Sequence, residues 1–297
     1  PVFKAEEIVD ELVRRIKFEV SIITENFEII LVEDGSPDGS WDKIEANCLL
    51  DERIRGIKLS RNFGQHNAIR AGVDCARGNY VVLMDCDLQD DPSYIAVMYE
   101  KAMQGFEIVF TRRIDRKHSF VKAYSSVIYN LLLRWLSSEK YIIDMGSLVL
   151  FSKKAKVEFQ NINEQERLYV QLLKWIGFKS TIVDVDHKER YAGVSSYKLN
   201  NIVRLGVSGM IAHSDKLLSI SIFTGFTLSL MSFLSGVGVA LAKIYIDFSA
   251  GWPSVIISIF FSTGLILSSV GILGIYLGKI FNEVKKRPLY IVDKSIN

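Results

Sequence analysis

Two stretches near the carboxyl end limit what this chain can become. Leu217 to Ala242 carries no charged residue over 26 positions, and Phe248 to Gly278 none over 31. About 20 apolar residues in a helix cross the hydrocarbon core of a bilayer. Each run is therefore long enough for one span, and transmembrane helices are expected at 217–242 and 255–278, joined by an extracytoplasmic link at 243–254. A helical hairpin buried in a soluble core is the alternative, and two uncharged runs of this length fit it poorly. Lys279, Lys285, Lys286 and Arg287 follow the second run, whereas the link holds one basic residue, Lys243. The positive-inside rule puts the segment before the spans and the basic tail, 279–297, in the cytoplasm. Ahead of the spans, 198–216 mixes Ile202, Val203, Leu205 and Ile211 with Arg204, His213 and Lys216, a composition suited to a helix in the membrane interface.

The remaining 1–197 reads differently. Lys and Arg number 36 against 34 for Asp and Glu in the whole chain, a balance that argues against a nucleic-acid binder relying on bulk charge. The positive mean hydropathy, +0.19, is concentrated after residue 216. Cys48, Cys75 and Cys86 have no metal-type spacing and read as free thiols in a reducing compartment. Helical spacing over Glu6–Arg15 and Gln65–Ala76 alternates with short apolar runs at Glu28–Val32, Arg55–Leu59, Glu107–Thr111 and Ser180–Val185. Such alternation predicts an α/β domain with a mostly parallel sheet. The chain opens on Pro1-Val2-Phe3 directly before a helical pattern, where a further strand is expected to precede it.

Asn79 to Pro92 is the most informative stretch of this domain. An apolar run breaks off into Asp85, Asp87, Asp90 and Asp91, as if a buried strand delivered acids at its carboxyl end. Open α/β sheets bind ligands at that end, because the strands stop there and the loops leave a crevice. Asp85 and Asp87, two apart, are able to turn toward one divalent cation, with Gln89 adding a carbonyl oxygen. Mg²⁺ and Mn²⁺ favour all-oxygen sets of this kind. A solvated acidic turn is the plain alternative.

Several motifs then occur in one order: Pro1-Val2-Phe3, Asp34-Gly35-Ser36-Pro37-Asp38-Gly39, Asn62-Phe63-Gly64-Gln65, Asp85-Cys86-Asp87-Leu88-Gln89, Arg112 to Arg116, Asp144-Met145-Gly146-Ser147, Arg190 to Tyr197, Gly251-Trp252-Pro253-Ser254 and Lys286-Arg287-Pro288-Leu289-Tyr290. In this the chain resembles the polyprenyl-phosphate glycosyltransferases of family 2. Its likeness is to bactoprenol glucosyltransferases and, in the catalytic half, to dolichol-phosphate mannose synthases.

The resemblance implies a GT-A fold, Rossmann-like, followed by interfacial helices and two transmembrane helices. It implies Asp87 and Gln89 as metal ligands, with Asp85 bridging metal and ribose, and Pro1, Phe3, Glu6 and Asp34 as nucleotide contacts. Lys4-Ala5 stands where the family has Asn-Glu, so Glu6 takes the place of the usual acid. Arg112, Arg116, Ser125, Arg190, Ser195, Tyr197 and Lys198 are implied at donor and acceptor phosphates, Lys198 being the nearest cation where relatives carry Lys at 194 or 196. Asp144 is implied near the reacting sugar, orienting sugar or acceptor, with proton abstraction second. A phosphomonoester is already ionised at neutral pH and needs no strong base.

The expected activity is inverting transfer of a sugar, with glucose from UDP favoured, to undecaprenyl phosphate, with Mg²⁺ or Mn²⁺ as cofactor. The setting is the bacterial cytoplasmic membrane, with a homo-oligomer, tetrameric by resemblance, and no nucleic acid as partner. Two other readings stand beside it. Gln171-Leu172-Leu173-Lys174-Trp175 is one residue from the Q-x-x-R-W of processive polysaccharide synthases. Those need more spans to enclose a channel. A membrane scaffold that binds a nucleotide sugar without turnover is the other, and the acids at 85, 87 and 144 argue against it.

Overall fold

The computed structural model describes residues 1–113, 145–164, 168–186, 216–242 and 251–296. They divide into two compact units. One takes the described residues up to 186 together with 287–296; the other takes the described residues between 216 and 286.

In the first unit α1 (Val9–Ser21) buries Val9, Leu12 and Val13 on one stripe, the i, i+3, i+4 spacing of a helix packed on a core. It is followed by β1 (Ile29–Glu33), α2 (Ser40–Leu50), β2 (Ile54–Leu59), α3 (Gln65–Cys75), β3 (Tyr80–Leu83), α4 (Tyr94–Met103) and β4 (Ile108–Arg113). After 144 come β5 (Met145–Ser152), α5 (Lys153–Asn161), α6 (Tyr169–Trp175) and β6 (Ser180–Val185). Helix α5 escapes a reading by apolar period, yet Ser152 is an N-cap whose hydroxyl accepts from the Ala155 N–H.

The expected mostly parallel sheet is corrected. There are two sheets among the described residues, ordered β1-β2-β7, with β7 at Val292–Ile296, and β3-β5-β4-β6. The β1–β2 and β4–β6 pairs are parallel, whereas β2–β7, β3–β5 and β4–β5 are antiparallel. Strand β5 causes most of the difference: it runs back between β3 and β4, and its Val149, Leu150 and Phe151 are buried on both faces. A strand covered on both sides shows a continuous apolar run in either direction, so its sequence carries no sign of its sense.

Strands β1 and β3 each end their sheet. A cavity of about 810 Å³ is lined by Ile29 to Val32 and by Tyr80 to Leu83, with Leu12 of α1 and Val73 of α3 also on its wall. Beside it Val2 bridges Glu33 in parallel, donating to the Val32 carbonyl at 2.7 Å and accepting from the Asp34 N–H at 3.0 Å.

Residues 287–296 join the first unit. Strand β7 (Val292–Ile296) pairs with β2, the Ser60 N–H donates to the Ile291 carbonyl at 2.9 Å, and the Tyr290 hydroxyl donates to Asp74 at 2.9 Å. Asp74 also accepts from Arg70 Nε, and the rest of that buried guanidinium donates to the Phe159, Gln160 and Ile162 carbonyls at the end of α5. The Arg-Pro-Leu-Tyr motif thus has a physical role, docking the carboxyl-terminal segment on α3.

The second unit holds α7 (Lys216–Ala242) and α8 (Trp252–Val284), the latter with Pro in its first turn, where no amide hydrogen is needed. The expected spans, 217–242 and 255–278, fall within these helices, and α8 continues six residues past Gly278. Among the described residues one stretch, Phe261–Val284, is long and apolar enough to cross a membrane, and none of its most apolar window is buried. Gly274 and Gly278 on α8 face open space, with no atom within 4 Å of a Cβ placed there.

Candidate active site

Because β1, β3, β4 and β6 run one way within their sheets and β5 the other, the ends of the first four and the start of β5 carry the residues singled out by sequence. At the end of β1, Asp34 is buried, and its two oxygens accept from the Phe63 N–H at 2.7 Å and the Gly64 N–H at 2.9 Å. Burial pushes its carboxyl above the usual range while those two donors oppose the rise. Gly35 follows with φ +61, and a side chain there would collide with the backbone of Arg61 and Asn62. Asp34 is therefore spent first on holding the 62–64 loop.

Glu6 is likewise engaged within the protein: its carboxylate accepts from the Gly39 N–H at 3.0 Å, and its own N–H donates to Asp38. Asp38 gathers the Ser36 and Ser40 hydroxyls at 2.5 and 2.6 Å, which closes the Asp34–Ser40 turn on the start of α2. Pro1 is half-buried, and Phe3 lies more exposed, with the Lys4 ammonium 5.7 Å from its ring centre.

At the end of β3 the acids are arranged by a left-handed turn. Leu88 has φ +57, a strained conformation for a leucine that costs of order 1–3 kcal/mol. Its side chain is buried with Val2, Ala5 and Trp41, and that burial holds the turn. Asp87 accepts from the Gln89 N–H at 3.2 Å, and Asp85 accepts from the Gln65 amide at 2.6 Å. Among the described residues no three His, Cys, Asp or Glu side chains are grouped to hold a metal by themselves. The carboxylates of Asp85 and Asp87, both on this turn, do fit a hard divalent cation that takes its other ligands from water and phosphate oxygens.

Near the end of β4 stands Arg112, whose guanidinium makes a bidentate pair with Asp184 of β6 at 2.7 and 3.0 Å. The arginine holds the Asp184 carboxyl below the usual range. Met145, the first residue of β5, is in register with Arg112. The next residue, Gly146, is required by close approach: a Cβ there would collide with the Thr111 hydroxyl, which donates to the Leu148 carbonyl at 2.7 Å. Ser147 donates to Asp90 at 2.6 Å, and the Tyr169 hydroxyl donates to the Ser147 carbonyl at 2.9 Å. His66, whose imidazole burial holds below its usual pKa, lies 5.7 Å from the Tyr169 ring.

Of the residues expected to act, Pro1, Phe3, Glu6, Asp34, Asp85, Asp87, Gln89 and Arg112 are placed, and Arg116, Ser125, Asp144, Arg190, Ser195, Tyr197 and Lys198 lie outside the described residues. Sequence reasoning assigned no part to Gln65, Asp90, Ser147, Tyr169 or Asp184. Gln65 and Ser147 stood inside motifs already quoted, and Asp90 in the acidic run. Asp184 had no signal beyond its place near the end of a strand.

Comparison with known proteins gives four findings. Residues 1–157 match the model of a family described as "Glycosyl transferase family 2". The chain is 36% identical over 297 residues to "Uncharacterized glycosyltransferase YkcC" of Bacillus subtilis (strain 168), covering 99% of this chain and 92% of that protein. It is 29% identical, over 99% of this chain and 96% of the relative, to the SfII prophage-derived bactoprenol glucosyl transferase of Shigella flexneri. Among solved structures, glucosyl-3-phosphoglycerate synthase from Mycobacterium tuberculosis, in complex with Mn²⁺, UDP-glucose and phosphoglyceric acid, aligns with a TM-score of 0.53 at 14% identity. The alignment covers 71% of this chain and 75% of that one, a likeness of fold.

Proposed function

The chain belongs to glycosyl transferase family 2 and has its GT-A fold with mixed sheets, and from that premise we propose that it transfers glucose from UDP-glucose to a polyprenyl phosphate. The acceptor is undecaprenyl phosphate, and the product is a polyprenyl-phosphate sugar formed at the cytoplasmic face of a bacterial membrane. The observation that carries the reading is the placement of Asp85, Asp87 and Gln89 after β3, with Arg112 near the end of β4. The similarity to bactoprenol glucosyl transferases over nearly the full chain supports the choice of sugar and acceptor.

Asp85, Asp87 and Gln89 would hold Mg²⁺ or Mn²⁺. Bound there, the ion supplies Lewis-acid neutralisation of the departing diphosphate. Arg112 offers a planar fork matched to phosphate oxygens, and Asp184 keeps that fork oriented until a phosphate competes for it. The acceptor phosphate attacks the anomeric carbon in line and inverts it; the C–O bond to the nucleoside diphosphate breaks as the new one forms. Asp144 orients sugar or acceptor, and Arg116, Ser125, Arg190, Ser195, Tyr197 and Lys198 contact the phosphates.

The second unit anchors the enzyme. Phe223, Phe226, Leu267 and Leu277 are each more than three-fifths exposed on α7 and α8, an arrangement suited to lipid rather than water. Connectivity supports two crossings. The chain leaves the first unit before 216 and returns to it at 287, where β7 pairs with β2. A single crossing would strand β7 on the wrong side of the bilayer, which supports an even number. Catalytic unit and carboxyl terminus are then both cytoplasmic, with 198–216 at the interface and 243–254 outside. Assembly as a homo-oligomer belongs to the same proposal. The test is a panel of nucleotide sugars with undecaprenyl phosphate, reading lipid-linked product by mass; no product with any donor would overturn the reading.

A further inference from the structure

The Asn62-Phe63-Gly64-Gln65 motif has no part in the reaction as described, yet it bridges the two loops that carry the site's buried and metal-facing acids. We propose that Gln65 is a positioning residue: its side-chain amide orients the Asp85 carboxylate for a divalent cation, and Asp34 serves the same end by fixing the loop from which Gln65 projects. The inference rests on the metal-dependent reading above and adds residues to it.

The contacts form one continuous chain. Both oxygens of Asp34 accept from consecutive backbone N–H groups, Phe63 at 2.7 Å and Gly64 at 2.9 Å. Gly64 has φ +92, a conformation closed to L side chains at low cost, and it turns the chain straight into α3. The loop is further tied by Asn67, whose side chain donates to the Phe63 carbonyl at 2.9 Å and whose N–H donates to that of Gly64 at 3.0 Å. The Arg61 guanidinium covers the Phe63 ring at 4.3 Å. Gln65, the first residue of α3, is thereby held with its amide nitrogen 2.6 Å from Asp85 Oδ1.

The chemistry favours an amide in this place. A carboxylate that ligates a metal is usually held by an outer hydrogen bond, and loss of such a partner weakens metal binding 10–100-fold. A lysine or arginine would hold Asp85 equally well but would cancel the charge the cation needs. The neutral amide occupies one oxygen, fixes the plane of the carboxylate and leaves its charge in place.

The experiment is a titration of the full-length protein with Mn²⁺ in the presence of UDP, following free Mn²⁺ by electron paramagnetic resonance, so that no turnover is required. Gln65→Ala and Gln65→Met both lack the donor, and Met keeps the length of the side chain. Each is expected to raise the Mn²⁺ dissociation constant about tenfold or more, with the melting temperature unchanged. In transfer assays the half-saturating metal concentration should rise while the rate at saturating metal stays near wild type. Asp87→Ala is the control that removes a ligand outright. If wild type binds no Mn²⁺ with UDP, the metal-dependent reading fails and this inference with it. If wild type binds Mn²⁺ and Asp87→Ala does not, while both Gln65 variants bind as wild type does, the inference alone is overturned.

Discussion

The two units put their apolar side chains in opposite places. In the first, Phe110, Phe151, Phe159 and Leu173 are almost wholly buried, and polar side chains close the loops around the strand ends. In the second, Phe223, Phe226, Leu267 and Leu277 point outward along two helices that carry almost no charge before Lys279. Soluble proteins seldom leave contiguous apolar surface of this extent uncovered. The contrast is what the proposed function asks of one chain in two solvents, chemistry in water and anchorage in hydrocarbon. Residues 287–296 return from the second unit to close the sheet of the first.

The largest effect expected lies at the chemistry. Asp87→Ala should lower transfer about a thousandfold, the several kcal/mol of charge stabilisation that a metal provides, with the melting temperature preserved. Full activity in excess chelator would remove the metal from the account.

Next comes the division of labour between units. Replacing 216–284 by a flexible linker, with 287–297 kept, should leave UDP-glucose binding intact by calorimetry. Transfer to undecaprenyl phosphate in vesicles should fall about a hundredfold, because a tethered catalyst meets its lipid at high effective concentration. A short, water-soluble isoprenyl phosphate should be used as before. Equal use of the long lipid by the deletion would break the comparison. Simple truncation at 215 is the sharper counterpart: it also removes β7 and Tyr290, and should lower the melting temperature as the linker variant does not.

A smaller effect is expected within the catalytic unit. Gly146→Ala places a methyl group against the Thr111 hydroxyl, and overpacking of this kind costs about 1–3 kcal/mol. Both chemical denaturation and activity should register it, since Arg112, next to Thr111, is displaced with it. The smallest is Tyr290→Phe, which removes the hydrogen bond to Asp74 and should cost about 1 kcal/mol by denaturant midpoint, with transfer unchanged. An unaltered midpoint would show that β7 alone docks the segment.

Much of this was legible in the residues, for reasons that differ by element. Strands β2 and β6 were read within a residue of their ends, because short apolar runs bounded by turns have few other uses. The turn at Asp85–Gln89 was read as a site because a strand that stops in acids must place them at the sheet edge. Its geometry was not: the strain is carried by Leu88, an ordinary apolar residue in the sequence, and only packing against Val2 and Trp41 reveals why it is tolerated. Asp34 was read as a nucleotide contact, and the structure finds both its oxygens on the 62–64 loop, a partner 30 residues away that no local pattern encodes.

What the sequence determined by itself was set by local chemistry: which segments are apolar at which period, where acids follow a strand, and that the second of two uncharged runs ends beside a basic cluster. These depend on a residue and its near neighbours. What only the tertiary structure decided was the sense of β5, the return of β7 to β2, and the pairing of Gln65 with Asp85 and of Arg112 with Asp184. Each joins groups far apart in the chain, and each is chosen by burial and hydrogen-bond geometry, which exist only once the chain has folded.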